Sequence, residues 1–190
     1  MWYAAYGSNL DRRRMLCYVQ GGCPAGATRT YAGCLDPAPP VADRAVTLPF
    51  ALYFGGASSV WGGGVAVLRR TRDDDAGTLA RAWLLTEAQF ADVVRQENGR
   101  SPTGELFDLT GLPATGALTL GTGWYDHLLL CGTIDGLPVI TVTSPTDLPE
   151  RRPSAAYVDY IVNGLVDTHG LSRTDARAYV ERRVGSAASV

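Results

Sequence analysis

The apolar positions of this chain fall in short runs separated by glycine and proline, which makes it mainly a strand protein. Runs at residues 2–6, 51–54, 63–68, 79–85, 106–109, 128–134 and 137–142 predict strands, and Asp135-Gly136 between the last two predicts a tight hairpin. Residues 35–49 hold four prolines and predict a loop, because proline cannot occupy a central strand.

Four stretches carry helical spacing instead. The first covers about residues 10–19. The second starts at Thr86, whose distance to Gln89 is that of a capping box, and stops near Asn98-Gly99, a natural left-handed exit. A third follows Pro153-Ser154. The last runs from Ser172, with Asp175 set for another capping box, to about residue 184, and Tyr179, Val180 and Val184 give it an apolar stripe. Residues 186–190 read as a frayed tail behind one domain of residues 1–185.

Two places break the pattern in ways that suggest chemistry. In the second helix Phe90, Val93 and Val94 mark the buried stripe, and Glu97 is its next member. A carboxylate there must be paired, neutralised or put to use, unless it swings into solvent at the helix end. At the N-terminus a strand exits through Tyr6, Gly7, Ser8, Asn9 and Leu10, with Gly7 free to take a sharp turn and Ser8 and Asn9 both good N-caps. Such a turn is either an ordinary cap or a cradle of free N–H groups for a carboxylate or phosphate.

Composition narrows the partners. The 190 residues are 46% hydrophobic and 19% charged, enough for one domain to bury its own core without a partner subunit. A net charge of -2 argues against nucleic acid as the main partner, and Arg12-Arg13-Arg14 reads as a solvated helix face. Neither a secretory signal nor a membrane span is expected. Cys17, Cys23, Cys34 and Cys131 lack the spacing of a zinc or redox motif and read as reduced thiols of a cytoplasmic protein, with a disulfide among the first three left open. His127 and His169 read as surface or structural residues, and Ser8 lacks the surroundings of a hydrolase nucleophile. Glu105 is a strand-edge charge or a second carboxylate. Asp73-Asp74-Asp75 is a polar loop or a loose attractor of a divalent cation.

The strand ending in Tyr-Gly-Ser-Asn-Leu, paired with Glu97 in Gln96-Glu97-Asn98-Gly99, resembles the γ-glutamylcyclotransferase family. Tyr53-Phe54-Gly55 followed by Trp61-Gly62-Gly63-Gly64-Val65-Ala66, and the helix-opening Pro153-Ser154-Ala155-Ala156-Tyr157, extend the resemblance over residues 2–165. It implies an α+β fold, a small mixed β-barrel flanked by helices. It also implies that Tyr6, Gly7, Ser8, Asn9 and Leu10 grip the glutamyl part of a substrate, that Glu97 is the general base, and that Tyr157 lies near it. One departure bears on the substrate. The family's tyrosine seven residues after the Glu is replaced by Gly104, and residues 100–107 supply no tyrosine.

The chemistry so implied is economical in protein groups. A γ-glutamyl amide carries its own nucleophile, since its α-amine can attack its side-chain carbonyl, close a five-membered lactam and expel an amine as 5-oxoproline forms. Holding the substrate folded and accepting a proton are then the enzyme's main tasks. No metal or organic cofactor is called for. The expected partner is a small γ-glutamyl compound, and the oligomeric state is not readable. A binding module that keeps fold and cradle without turnover, and an enzyme acting on another amide in the same pocket, stay open as alternatives.

Overall fold

The computed structural model describes residues 1–184, so the expected tail at 186–190 lies outside the described residues. In chain order the elements are β1 (Trp2–Ala5), a 3-10 turn (Ser8–Leu10), α1 (Arg12–Gln20), β2 (Asp43–Leu48), β3 (Phe50–Gly55), β4 (Val65–Arg72), β5 (Thr78–Leu84), α2 (Glu87–Glu97), the single turn α3 (Leu112–Thr115), β6 (Ala117–Thr119), β7 (His127–Ile134), β8 (Leu137–Thr143), α4 (Ala155–His169) and α5 (Arg173–Glu181). Six strands form one sheet in the order β2-β5-β1-β8-β7-β6, antiparallel except where β1 runs parallel to β8, and β3 pairs with β4 as a separate ribbon.

β1 is central to that sheet, and the alternation of its side chains divides the core. Trp2 and Ala4 face a layer built with the β3–β4 ribbon and α4 and α5, through Leu52, Phe54, Leu68, Ile161, Leu165 and Val180. Tyr3 and Ala5 face the other layer, where α1 and α2 contribute Met15, Tyr18, Val19, Phe90, Val93 and Val94. The mixed α+β architecture is as expected. Closure into a barrel is not what the ladders make: β2 and β6 are the edges of the six-stranded sheet, and the ribbon joins it through side chains. Thr143 Oγ1 accepts the Leu68 amide at 3.0 Å, and Thr78 Oγ1 donates to Phe50 O at 2.7 Å.

Several expected elements are corrected. Residues 43–48, inside the proline-rich segment, form β2; its prolines bracket the strand without entering it, and β2 lies on the sheet edge where an unpaired N–H face is tolerated. Residues 106–109 form no strand, and Phe107 packs under the Arg95 guanidinium instead. The first helix is capped by Asp11, whose side chain accepts the Arg13 amide, and not by Ser8 or Asn9, which belong to the preceding 3-10 turn. At α5 Ser172 caps the Asp175 amide as expected, but its hydroxyl bonds the Asp175 carboxylate in place of the reciprocal backbone bond. The capping box at Thr86 and Gln89 and the left-handed exit at Gly99, with φ of 73°, form as the spacing predicts.

Candidate active site

α2 is fastened at several points along its length, which fixes what its C-terminal end presents. Asp92, 1% exposed, accepts the amides of Leu35 at 3.0 Å and of Thr103 and Gly104 at 2.9 Å each. The Gln96 amide donates to Tyr18 O at 2.9 Å. Asn98 clamps the backbone of Tyr125 from both sides, donating to its carbonyl at 2.8 Å and accepting its amide at 3.0 Å. Glu97, between these anchors, turns toward a cavity of about 290 Å3 that it shares with Tyr6, Gly7, Ser8, Asn9 and Tyr157.

The contact between the two sequence features is direct. Asn9 Nδ2 donates to Glu97 Oε1 at 2.8 Å, while its own Oδ1 is buried without a partner. Glu97 thus has a neutral hydrogen-bond partner and an open cavity beside it. The loop itself is more specific than a free cradle. The amides of Leu10 and Asp11 donate to the carbonyls of Gly7 and Ser8 at 3.1 Å, so they are spent on the turn; the Ser8 amide is directed at the Tyr157 hydroxyl, and the amides of Gly7 and Asn9 are the donors that remain. Leu10 does not line the cavity: its side chain is fully buried, and its Cβ lies where α4 comes closest, opposite Gly164.

Tyrosines supply much of the wall. The Tyr6 hydroxyl donates to Val142 O at 2.8 Å and shares a short hydrogen bond with the Tyr125 hydroxyl. Tyr157 Oη accepts the Ala66 amide at 3.1 Å. Tyr3 Oη receives the Asn9 amide group at 3.5 Å. Burial, foremost, holds these phenols protonated: it pushes Tyr157 up to about 12, with the Glu97 charge adding to it, and raises Tyr3, Tyr6 and Tyr125 in the same direction. The segment after Glu97 offers no tyrosine, as expected, but Tyr125 enters the cavity from further along the chain.

The residue that sequence reasoning misread is Arg14. It is 2% exposed and borders the cavity, whereas its neighbours Arg12 and Arg13 are exposed. Its Nη2 donates to the hydroxyls of Tyr18 and Tyr31 at 2.8 Å each, and the guanidinium lies 4.1 and 4.2 Å from the centres of those rings. The signal was present in the pattern: Arg14, Met15, Tyr18 and Val19 make one helical stripe, with a charge on an apolar face as at Glu97.

The weaker candidates lie elsewhere. His127 Nδ1 pairs with Thr119 Oγ1 at 2.7 Å and His169 Nε2 donates to Ala80 O at 2.9 Å, neither of them at the cavity. Glu105 is exposed, and Asp74 pairs with Arg72 at 2.9 Å in the turn before β5. The four cysteines are free thiols. No described helix is long and apolar enough to cross a membrane.

No family model matches the chain. It is 33% identical over 202 residues to an Arabidopsis thaliana protein named histone deacetylase 5, across 97% of this chain and 31% of that protein. The chain therefore spans about a third of that relative, whose name attaches to the whole of it. Among solved structures it is similar to a gamma-glutamyl cyclotransferase, with 17% identity, TM-score 0.55 and coverage of 93% of this chain and 86% of that one. A Homo sapiens protein, loc79017, gives 16% identity and TM-score 0.55 over 100% and 90% of the two chains. YkqA from Bacillus subtilis gives 16% and 0.51, over 98% of this chain and 54% of its own.

Proposed function

Starting from the γ-glutamylcyclotransferase-like fold that these structures give the chain, we propose that it cyclises a γ-glutamyl amide or peptide to 5-oxoproline and releases the amine. The observation that carries this reading is the Asn9–Glu97 hydrogen bond: it puts a carboxylate and the Tyr6 to Asn9 loop at one cavity.

The remaining amides of Gly7 and Asn9, with the Ser8 amide beside Tyr157, hold the substrate's α-carboxylate, which fixes the α-amine near Glu97. Glu97 takes a proton from the α-ammonium group. The freed amine attacks the γ-carbonyl carbon and the new C–N bond forms as the bond to the leaving nitrogen breaks; the attacking nitrogen sheds a second proton on becoming the lactam N–H, and Glu97 relays both protons in turn to the leaving nitrogen, which departs as an ammonium group. No water is consumed and no oxidant is needed. The gain from holding nucleophile and carbonyl in one folded conformer is large, because attack within one molecule replaces an encounter. The phenols of Tyr6 and Tyr157 border the reacting group. Both are kept neutral by burial; Tyr6 gives its proton to Val142 O, while Tyr157, which accepts the Ala66 amide, keeps its own to donate without competing for the proton that Glu97 carries. The chemistry draws on no metal or cofactor, and four free thiols suit a reducing compartment such as the cytoplasm.

Glu97→Gln tests the assignment, because the amide oxygen still accepts the Asn9 bond while the base is gone. Incubated with γ-glutamyl amides and assayed for 5-oxoproline by mass spectrometry, it is expected to be slower by about 100-fold or more. Undiminished product removes Glu97 from the mechanism.

A further inference from the structure

We propose that Trp83 is a positioning residue for the reaction: from behind the substrate loop its indole N–H fixes the Asn9 backbone, and through Asn9 it fixes how Glu97 presents its carboxylate. The inference rests on the cyclisation reading above and adds a residue that does not line the cavity.

β5 lies beside β1, and two side chains of one of its faces, Arg81 and Trp83, reach the loop into which β1 exits. Trp83 is fully buried and donates to Asn9 O at 3.0 Å, and the buried Arg81 donates to Leu10 O at 3.4 Å. The turn itself takes the carbonyls of Gly7 and Ser8. All four carbonyls from Gly7 to Leu10 are thereby held by protein donors, which leaves the loop no free backbone acceptor to repel a substrate carboxylate. Arg81 is fixed from outside by Asp43 at 2.7 Å and by Asp167, and its guanidinium lies 4.1 Å from the centre of the Trp83 ring, so the indole rests against an anchored cation. Asn9 depends on this support. Its Nδ2 meets Glu97 Oε1 at 2.8 Å, its Oδ1 has no partner, and the contact of Nδ2 with Tyr3 Oη is long at 3.5 Å. The firm bonds at its two ends are Trp83 on the carbonyl and Glu97 on the side chain. Without the first, a buried carbonyl is left unpaired, the Asn9 peptide is free to rotate, and the side chain no longer meets Glu97 at a set distance.

Trp83→benzothienylalanine, introduced by nonsense suppression, keeps the shape of the ring and exchanges its N–H for sulfur, so packing survives and the donor is lost. With γ-glutamylglycine as probe, kcat for 5-oxoproline release is expected to fall about tenfold, the size of one buried bond left unmade. Asn9→Ala cuts the link to Glu97 and keeps the loop amides. In that background the same replacement is expected to change kcat by less than about twofold, because the path from Trp83 to the base runs through the Asn9 side chain. A lowered Tm with kcat unchanged overturns the proposal. So does an equal fall in kcat in both backgrounds, since the indole then serves only the fold. The NMR signal of the Asn9 side-chain amide keeps the two readings apart, and in the replaced protein it is expected to move toward its position in Glu97→Ala. If the wild type releases no 5-oxoproline, cyclisation fails, while a signal that moves still upholds Trp83 as the residue that sets Asn9 against Glu97; an unmoved signal overturns it.

Discussion

Gly7 is required by proximity and not by an unusual φ. Its backbone sits at φ -103° and ψ -145°, on the negative-φ side open to other residues. A Cβ built there, however, falls 2.7 Å from Tyr157 Oη and 3.3 Å from Ala66 Cβ, while the ring carbon behind the hydroxyl is 3.8 Å away, an ordinary contact. The phenol cannot yield freely, because it accepts the Ala66 amide and is buried. Gly7→Ala is therefore expected to cost about 1–3 kcal/mol of stability, as overpacking does. Tyr157→Phe removes the offending atom, so the two substitutions together are expected to cost about 1 kcal/mol less than the sum of their separate effects, measured by urea denaturation. Additivity of the two losses within about 0.5 kcal/mol would show that the loop does not rest on this phenol. The same contact binds two segments far apart in sequence, the first turn of the chain and the opening of α4, which makes Tyr157 a wall of the cavity.

At the level of elements, the α4–loop contact has a sharper form. Gly164 in the middle of α4 lies against the 3-10 turn, and a Cβ there would meet Leu10 Cβ at 2.3 Å, Leu10 C at 2.5 Å and Asp11 N at 2.7 Å. Gly→Ala in a helix interior ordinarily stabilises by about 1 kcal/mol. Here the obstacle is backbone, so Gly164→Ala is expected to destabilise by about 1–3 kcal/mol and to lower activity by displacing the loop that carries Asn9. A rise in Tm would mean that α4 does not seat the loop. This contact was not legible in the sequence, because it depends on which helix crosses which turn, whereas helix starts at Thr86 and Ser172 were legible from local capping chemistry. β2 was obscured for a related reason: proline content marks where a strand cannot be central, and only the sheet order shows that this one is at an edge. Glu97 was marked by its helical stripe, but the stripe left open a carboxylate swinging into solvent, and only the resemblance carried by Gln96-Glu97-Asn98-Gly99 made it a candidate base. Arg14 broke the same rule in α1 but was read with its neighbours as a basic run, and Tyr125 has no local signal at all, since Asn98 brings it in from across the fold.

Over the whole molecule, lining a cavity with buried phenols ties stability to alkaline pH. Burial is the largest cause raising Tyr3, Tyr6, Tyr18, Tyr125 and Tyr157 above the ordinary value of 10.0. An acid whose folded pKa is raised stays protonated in the fold while the unfolded chain loses its proton first. Stability from these five groups is therefore fully present below pH 10.0 and is lost as the pH rises above it. Each contributes a slope of about 1.4 kcal/mol per pH unit once the unfolded chain is ionised, so five together make the alkaline limb steep. Tyrosinate absorbance and tryptophan fluorescence followed over one pH series are expected to change together, in a single cooperative step. If the cavity were wet and yielding, these phenols would ionise near pH 10.0 with the fluorescence still native, and absorbance would lead unfolding. The same measurement bears on the proposed chemistry, because a wall that ionises with the fold intact could not stay neutral around the proton that Glu97 carries.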